Sequence, residues 1–534
     1  MHYSFILAGA GVSILLYLIA RVVYLAFFHP LAKYPGPFLS KFTCARASFY
    51  AWRGDIHIDI WRCHEKYGDY MRYGPNQLYV NTEKGLRDIY GPTTSNKFLK
   101  SSHYEVMSHQ AANTFTHRGG KEHLRRRRIM SQAVSTKAQL EYEPRLMTHI
   151  QKFCDLVLPP STSEGIATMN MAEWCNYLAF DLMTDVVFGA RYNLLGDKKF
   201  RYVPEMIEKS NVRVSSLVQF PGLTWMRLDK HLFQEAIYAR NRFLKFVFRL
   251  LHDRKALSHD GTACGVFKKP SITAQSSLSF DVYSRLQDAQ DPVTGEGFGH
   301  DEIASESTTL IVAGSDTSAC AMASILFYLA NNPSAYTRAA AEVRAAAAAR
   351  DASRPGHLSV ADLAGCTYLR ACIDEALRMS PPVGTGLMRE VVTPGGMVVD
   401  GQVVPAGCEV GVGTYAIHHS ARAFDDPFVY RPERWLTPDE EEVRRARACF
   451  VPFSAGIRSC LGKGLAYTEM TLTIGHLLLL GDFKLADGEL ATVGRGSKSF
   501  GVEGRHREGE YQLYDHIAGQ KNGPWLQFTR RVNV

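Results

Sequence analysis

Ten consecutive residues, Phe453-Ser454-Ala455-Gly456-Ile457-Arg458-Ser459-Cys460-Leu461-Gly462, constrain this chain more than any other stretch. A single cysteine stands in a glycine-framed loop, an arginine lies two residues before it, and the chain then enters Leu465 to Leu480, an apolar segment that reads as a helix. Gly456 and Gly462 allow a tight turn and the close approach of a flat partner, since glycine accepts backbone angles and contacts closed to other residues. A cysteine just ahead of a helix N-terminus meets aligned backbone N–H groups that stabilise its thiolate, and Arg458 adds a fixed positive charge. The arrangement suits a metal-bound thiolate, one of the few proximal ligands that protein haem uses. The competing account is the ordinary one: most cysteines are small buried hydrophobes, and the chain has 11 of them.

Three other stretches ask for a chemical reason. Glu302 to Ala330 has the pattern of a long apolar helix interrupted by Ala313-Gly314-Ser315-Asp316-Thr317. A helical glycine costs about 1 kcal/mol relative to alanine. Small Ala313 and Gly314 leave room for a small ligand, Thr317 can donate a hydrogen bond and Asp316 can pass protons; the bland alternative is a Ser/Thr kink with a solvent-facing aspartate. The basic run Lys121 to Arg128 places His123 and Arg127 on one helical face at i and i+4, two cations able to hold an anionic group. Nucleic acid is not the expected partner, because no aromatic platform accompanies the run and a solvated helix face explains such charges. Finally, Glu375 and Arg378 at i and i+3 can meet on a helix.

Taken in order, Phe-x-x-Gly-x-Arg-x-Cys-x-Gly at Cys460, Ala-Gly-x-Asp-Thr at Thr317, Glu-x-x-Arg at Glu375 and Pro432-Glu433-Arg434-Trp435 resemble the motifs of the cytochrome P450 family, and the resemblance runs through essentially the whole chain. It implies a mainly α fold with small β-sheets (α+β), with haem b between a long distal helix and the proximal cysteine loop. In that scheme Cys460 is the axial ligand, with Phe453, Gly456 and Arg458 shaping its loop; His123 (where tryptophan is common), Arg127, Arg389 and Arg458 anchor the haem. Thr317 and Asp316 form the proton relay, and Glu375, Arg378 and Arg434 lock the scaffold. Phe98, Phe115, Ala313, Gly314, Val383 and Val502 line the substrate pocket, with Phe500 and Gly501 beside Val502. The resemblance further implies NADPH-derived electrons from a reductase, with cytochrome b5 as an optional second donor, and insertion of one atom of O2 into a lipophilic molecule. The chain looks similar to fungal microsomal members that decorate polyketides or terpenoids. Two alternatives stay open: a haem-thiolate isomerase or dehydratase needing no external electrons, against which the Asp316-Thr317 pair argues, and a non-catalytic membrane-bound haem-binding or interaction protein.

Phe5 to Phe28 is strongly apolar, broken by Ser13 and Arg21, and long enough to span a bilayer, which takes about 20 residues. Lys33, Lys41 and Arg46 follow it, so the positive-inside rule puts the body in the cytosol on a single-pass anchor, and the family resemblance implies that the membrane is the endoplasmic reticulum. Residues 1–30 are thus an anchor, 31–50 a hinge and linker containing Tyr34-Pro35-Gly36-Pro37, and 51–534 one haem-thiolate monooxygenase domain, since no Pro/Gly/Ser-rich linker divides the rest. The odd cysteine count, without a C-x-x-C pair, points to a reducing compartment. The formal charge of +8 is modest for 534 residues, but Arg125, Arg126, Arg128, Arg444, Arg445 and Arg447 offer a basic surface for an acidic reductase.

The remaining pattern predicts a helix around Ile58 to Tyr67, a hairpin from Met71 to Val80 turning at Gly74-Pro75-Asn76, and an irregular loop from Ser95 to Arg118. Core helices are expected at Leu178 to Phe188 and Phe243 to Leu251, an exposed excursion at Lys255 to Ser279, and helices at Ala339 to Arg350 and Asp362 to Arg378. One small sheet should collect Val391-Val392, Met397 to Val399 and Val403-Val404, with terminal strands at Ser497 to Gly501 and Trp525 to Arg530. Gly411-x-Gly413-x-x-Ala416 is not read as a dinucleotide fingerprint, because no βαβ unit follows.

Overall fold

In a computed structural model of the chain, residues 2–92, 97–108, 111–160, 165–260, 281–350 and 357–531 are described. Most of the Lys255 to Ser279 excursion, and Ser95, Asn96, His109 and Gln110 of the irregular loop, lie outside these residues. The helices that position the site are α1 (His2–Val23), α2 (Ala45–Arg53), α3 (Ile56–Tyr67), α4 (Gly120–Ala133), α5 (Met171–Phe188), α6 (Tyr202–Gln219), α7 (His300–Asn331), α8 (Thr367–Met379) and α9 (Lys463–Leu480).

Helix α7 is the axis of the molecule. The Glu302 side chain returns to the Gly299 N–H to cap its start, and Pro333 starts the next helix after Asn332, so the two cannot merge. From Ser318 to Leu329 every residue is buried, because α5, α8 and α9 pack around it. At 32 residues it is long and apolar enough to cross a membrane, but its burial marks it as the core helix of the body. By contrast α1 exposes Val12, Ile14, Leu15, Leu16, Tyr17, Leu18 and Ile19, an apolar surface that nothing among the described residues covers, and it continues into a π-helical turn at Tyr24–Phe28. This helix, a candidate membrane span, is held to the body at its end: Leu25 and Leu31 are buried, and Arg72 donates to the Leu25 carbonyl at 2.7 Å. Gly36 is required at the hinge, since a Cβ there would stand 2.1 Å from the Arg72 carbonyl oxygen.

The strands are β1 (Tyr70–Gly74), β2 (Gln77–Val80), β3 (Phe98–Lys100), β4 (Ala167–Asn170), β5 (Arg389–Val391), β6 (Met397–Val399), β7 (Gln402–Val404), β8 (Glu409–Gly411), β9 (Gly481–Leu485), β10 (Tyr514–His516), β11 (Ala518–Gln520) and β12 (Trp525–Arg530). The β1–β2 hairpin turns at the expected Gly74-Pro75-Asn76 and seeds a five-stranded sheet of order β1-β2-β8-β5-β3. The single small sheet expected after Pro382 is two: β5 joins this larger sheet, while β6 and β7 pair only with each other. Two further expectations change. Asp362 to Arg378 is split, with helix at Val360–Leu363 and α8 starting at Thr367. Ser497 to Gly501 is no strand but a 3-10 turn at Lys498–Phe500; near the C-terminus the β10–β11 hairpin turns on Ile517 at φ 75°, with β11 against α7 and β10 against α6.

Candidate cofactor and active site

The cysteine loop is built by contacts that its sequence only implies. Gly456 has φ 66°, and a Cβ on it would stand 1.9 Å from the Tyr90 carbonyl oxygen, so no other residue fits. Phe453 packs on Tyr467 of α9 with ring centroids 5.1 Å apart, and its carbonyl accepts from the Cys460 N–H at 2.8 Å, which closes the loop. Among the described cysteines Cys460 is the one that is exposed; the others are buried or half-buried. Around its sulfur, desolvation pushes the thiol pKa up, opposed by the backbone N–H groups of Gly462 and Lys463 at the start of α9 and by the charges of Arg127 and Lys463.

Helix α4 meets this loop directly. Arg127 donates to the Ser459 carbonyl at 2.8 Å and to its hydroxyl at 3.2 Å. Arg458 reaches the carbonyls of His117 at 3.3 Å and Arg118 at 2.7 Å, and Arg389 is buried with donations to the Leu387 and Met388 carbonyls. Lys100, at the end of β3 and also buried, donates to the Phe115 carbonyl. Their positive charges act on one another: burial and then Arg389 hold Arg458 down to about 10, and burial with Arg389 and Arg458 puts Lys100 well below the usual lysine range. The nearby carboxylate, Glu306, is already taken by the Thr114 N–H at 2.7 Å, the Thr114 hydroxyl at 2.8 Å and Arg126 at 3.4 Å.

His123 differs from the sequence reading. Burial, then Arg458, Lys100 and Arg127, pull its pKa down to about 2, so it is a neutral imidazole rather than a second cation, and its Nδ1 is buried without a partner. A set of buried or half-buried cations without matching carboxylates, an orphaned ring nitrogen and an exposed thiol at a helix N-terminus fit haem b, whose iron would take the thiolate and whose two propionates would take the cations.

Across α7, Ala313 is exposed and Thr317, one turn on, is half-buried on the same open stripe. The Thr317 hydroxyl donates to the Ala313 carbonyl at 2.7 Å, so its lone pairs, not its proton, are free. Gly314 points elsewhere than expected: a Cβ there would meet Met183 Cε at 2.5 Å, so its smallness lets α5 approach α7. Asp316 is buried, not solvent-facing. It accepts from Asn211 of α6 at 3.1 Å, and burial pushes its pKa up to about 7, with Glu208 adding to the rise and Lys521 opposing it. The Lys521 side chain is fully buried and donates to Asn176 at 2.6 Å and Glu208 at 3.3 Å.

The scaffold triad is joined. Arg378 grips Glu375 at 2.8 and 3.0 Å, Arg434 reaches the same carboxylate at 2.9 Å, and the Trp435 indole donates to it at 3.1 Å, all buried.

Of the expected pocket residues, Phe115 lies over Tyr104 and under the Lys100 ammonium, and Val383 is half-buried in the segment leading to Arg389. Phe98 instead packs into the apolar core beneath the five-stranded sheet, because the strand register turns it there with Val391. Val502 and half-exposed Phe500 sit in the 3-10 excursion whose Gly504 abuts Ile58 of α3. The basic run also departs from expectation. Arg125 pairs with Glu122 and Glu302, Arg126 is buried among Glu122, Glu302 and Glu306, and Arg128 pairs with Asp291, so these three offer no free docking charge. Arg444 pairs with Glu441 and Arg445 with Asp425, whereas Arg447 is exposed and forms no ion pair among the described residues. Sequence reading missed Lys100 and Lys521, since nothing local marks a lysine as buried.

Comparison with known proteins agrees with this geometry. Residues 35–492 match the family model described as Cytochrome P450. The chain is 43% identical to the cytochrome P450 monooxygenase AKT7 of Alternaria alternata, over 97% of this chain and 96% of that one. It is 42% identical to the cytochrome P450 monooxygenase poxM of Penicillium oxalicum (99% and 96%), and 40% identical to the cytochrome P450 monooxygenase atnE of Emericella nidulans (95% and 93%).

Proposed function

This chain belongs to the cytochrome P450 family and is a monooxygenase of the haem-thiolate class, and from that premise we propose that Cys460 is the axial thiolate of an enzyme that oxygenates a lipophilic secondary metabolite, a polyketide or terpenoid, by hydroxylation or epoxidation. Electrons come from NADPH through a flavoprotein reductase. Cytochrome b5 can serve as a second donor. The observation that carries the reading is the exposed Cys460 at the N-terminus of α9, facing N–H groups, beside buried cations that lack carboxylate partners.

Bound haem supplies the activation of O2, to which a thiolate contributes electron density. The chain supplies the rest. Lys100, Arg127, Arg389 and Arg458 hold the propionates as charge-assisted donors, and the neutral His123 adds a ring N–H. Exposed Ala313 keeps the face of α7 low where a small molecule must fit. The Thr317 hydroxyl, its proton on Ala313, accepts from a water on that face and so orients a donor toward it. Asp316 carries a proton near neutral pH and receives it from the side of Asn211 and Lys521. Thr317→Ala should therefore keep NADPH consumption while diverting reducing power into hydrogen peroxide.

Residues 1–30 anchor the catalytic body, 51–534, in the endoplasmic-reticulum membrane with the body in the cytosol, a reading supported by the apolar exposed α1 and the lysines after it. Protease protection of the body in intact microsomes would contradict it.

The deciding measurement is the spectrum of reduced, carbon-monoxide-bound protein. Thiolate ligation gives a strongly red-shifted Soret band that Cys460→His removes; the same band in the variant sinks the assignment. Product formation that requires NADPH and reductase separates this reading from an isomerase or dehydratase, which needs neither.

A further inference from the structure

Away from the haem site, a cavity of about 390 Å³ opens on the surface between the hinge and helices α2 and α3. Its polar wall carries Arg46, Arg62 and Lys66 against a single carboxylate, Asp59. That carboxylate is spent internally: it accepts from Arg46 at 2.5 and 2.7 Å, from Arg62 at 3.0 Å and from the Tyr73 hydroxyl at 2.6 Å. It thereby aims two guanidinium groups whose remaining N–H donors are free to bind, since each carries five. Lys66 makes no ion pair among the described residues and lies over Tyr67, 5.4 Å from the ring centroid. Tyr50 and Tyr67 also line the cavity, and their hydroxyls have no partner among the described residues. The surplus is positive, and every uncommitted group on this wall can donate a hydrogen bond. That chemistry is complementary to a phosphate.

The opposite wall is Pro37, Phe38 and Leu39, at the turn Phe38–Lys41 that follows the hinge beyond the apolar span ending at Phe28, and it is apolar where it meets solvent: Phe38 is 72% and Leu39 61% exposed. Phe49 and Trp52 of α2 are about half exposed as well. A basic recess of this size, rimmed by outward-facing apolar side chains and built just beyond a membrane-spanning segment and its hinge, matches a molecule with a phosphate head and acyl tails. We propose that this cavity binds the headgroup of an anionic phospholipid, with Arg46, Arg62 and Lys66 on the phosphate and the Phe38-Leu39 turn against the start of the acyl chains. The proposal rests on α1 being the membrane anchor. Its consequence is an orientation lock: α1 alone tethers the body, whereas a lipid held between hinge and α3 fixes how the body sits on the surface.

The test uses the full-length protein in phosphatidylcholine nanodiscs with and without phosphatidic acid, extracted into mild detergent and weighed intact by native mass spectrometry. Wild-type protein should retain phosphatidic acid over phosphatidylcholine by roughly thirtyfold, because the two positive charges in excess of Asp59 each favour an anionic lipid. Arg62→Gln/Lys66→Gln should abolish that preference while keeping disc association and unfolding temperature unchanged. Equal phosphatidic acid retention by this variant, with discs still bound, overturns the headgroup site and leaves the anchor reading standing. Failure of wild-type protein to associate with either disc overturns the anchor reading and the proposal together. A third arm adds inorganic phosphate to the extracted protein: if it binds with the same dependence on Arg62 and Lys66 while no lipid is retained, the site serves free phosphate and the lipid assignment falls.

Discussion

Two clusters of buried and half-buried charge, one around Glu375 and one around Lys100, Arg127, Arg389 and Arg458, are opposites. Around Glu375 every charge is answered: two arginines share the carboxylate, and their other N–H groups go to the carbonyls of His418 at 2.8 Å and Pro427 at 2.7 Å from Arg378, and of Asp425 at 3.0 Å from Arg434. The carboxylate is held below its ordinary pKa against its own desolvation by Arg378 and Arg434. Around Lys100, Arg127, Arg389 and Arg458, cations face cations, and the neighbouring His123 is driven neutral. A folded chain tolerates buried charge when it is paired, and pays heavily when it is not. The first cluster is therefore scaffold, complete in itself, and the second is a socket whose missing charge belongs to a ligand.

The largest effect should come from breaking the complete cluster. Glu375→Gln leaves two buried arginines without their carboxylate and should cost about 3–5 kcal/mol, measured by denaturant unfolding. A loss below about 1 kcal/mol, within the range of exposed pairs, would mean that the cluster is not the scaffold described here. Asp316 is the intermediate case, a carboxyl sharing one ammonium, Lys521, with Glu208. Its pKa is raised, so the protonated fraction that can donate falls as pH rises through about 7. Product formation should show a descending limb there, and Asp316→Asn should remove the limb and slow turnover by about a hundredfold. A wild-type profile that is flat from pH 6 to 8 at about constant coupling would remove Asp316 from the relay.

The socket is tested more gently. Lys100→Met deletes a desolvated cation while keeping the stem, so the haem-free protein should gain about 1 kcal/mol of stability while haem dissociates about tenfold faster. Loss of both would make Lys100 structural and erase the distinction between the clusters. The smallest effect concerns the surface. Arg447→Glu should slow reductase-driven reduction a few-fold and flatten its salt dependence, as steering charges do. Arg126→Glu should instead lower the unfolding temperature, because Arg126 is buried among three glutamates. If Arg126→Glu behaves like Arg447→Glu, α4 belongs to the docking face after all.

What the sequence determined by itself is local. The glycine-framed loop at Cys460, the Asp316-Thr317 pair, the i to i+3 meeting of Glu375 and Arg378, the N-terminal apolar helix and the β1–β2 hairpin are all written within short continuous stretches, where turn chemistry and helical period operate directly. Tertiary structure decided everything that depends on who is desolvated beside whom. It turned Phe98 into the core, set Gly314 against Met183, gave Arg125, Arg126 and Arg128 to acids on and beyond their own helix, and made Ser497 to Gly501 a turn while the strand at Trp525 to Arg530 formed as expected. It also made His123 neutral, raised Asp316 and buried Lys100 and Lys521. Protonation and pairing follow from the dielectric and the charges within a few ångströms, and those neighbours come from chain segments far apart, which short-range pattern cannot bring together.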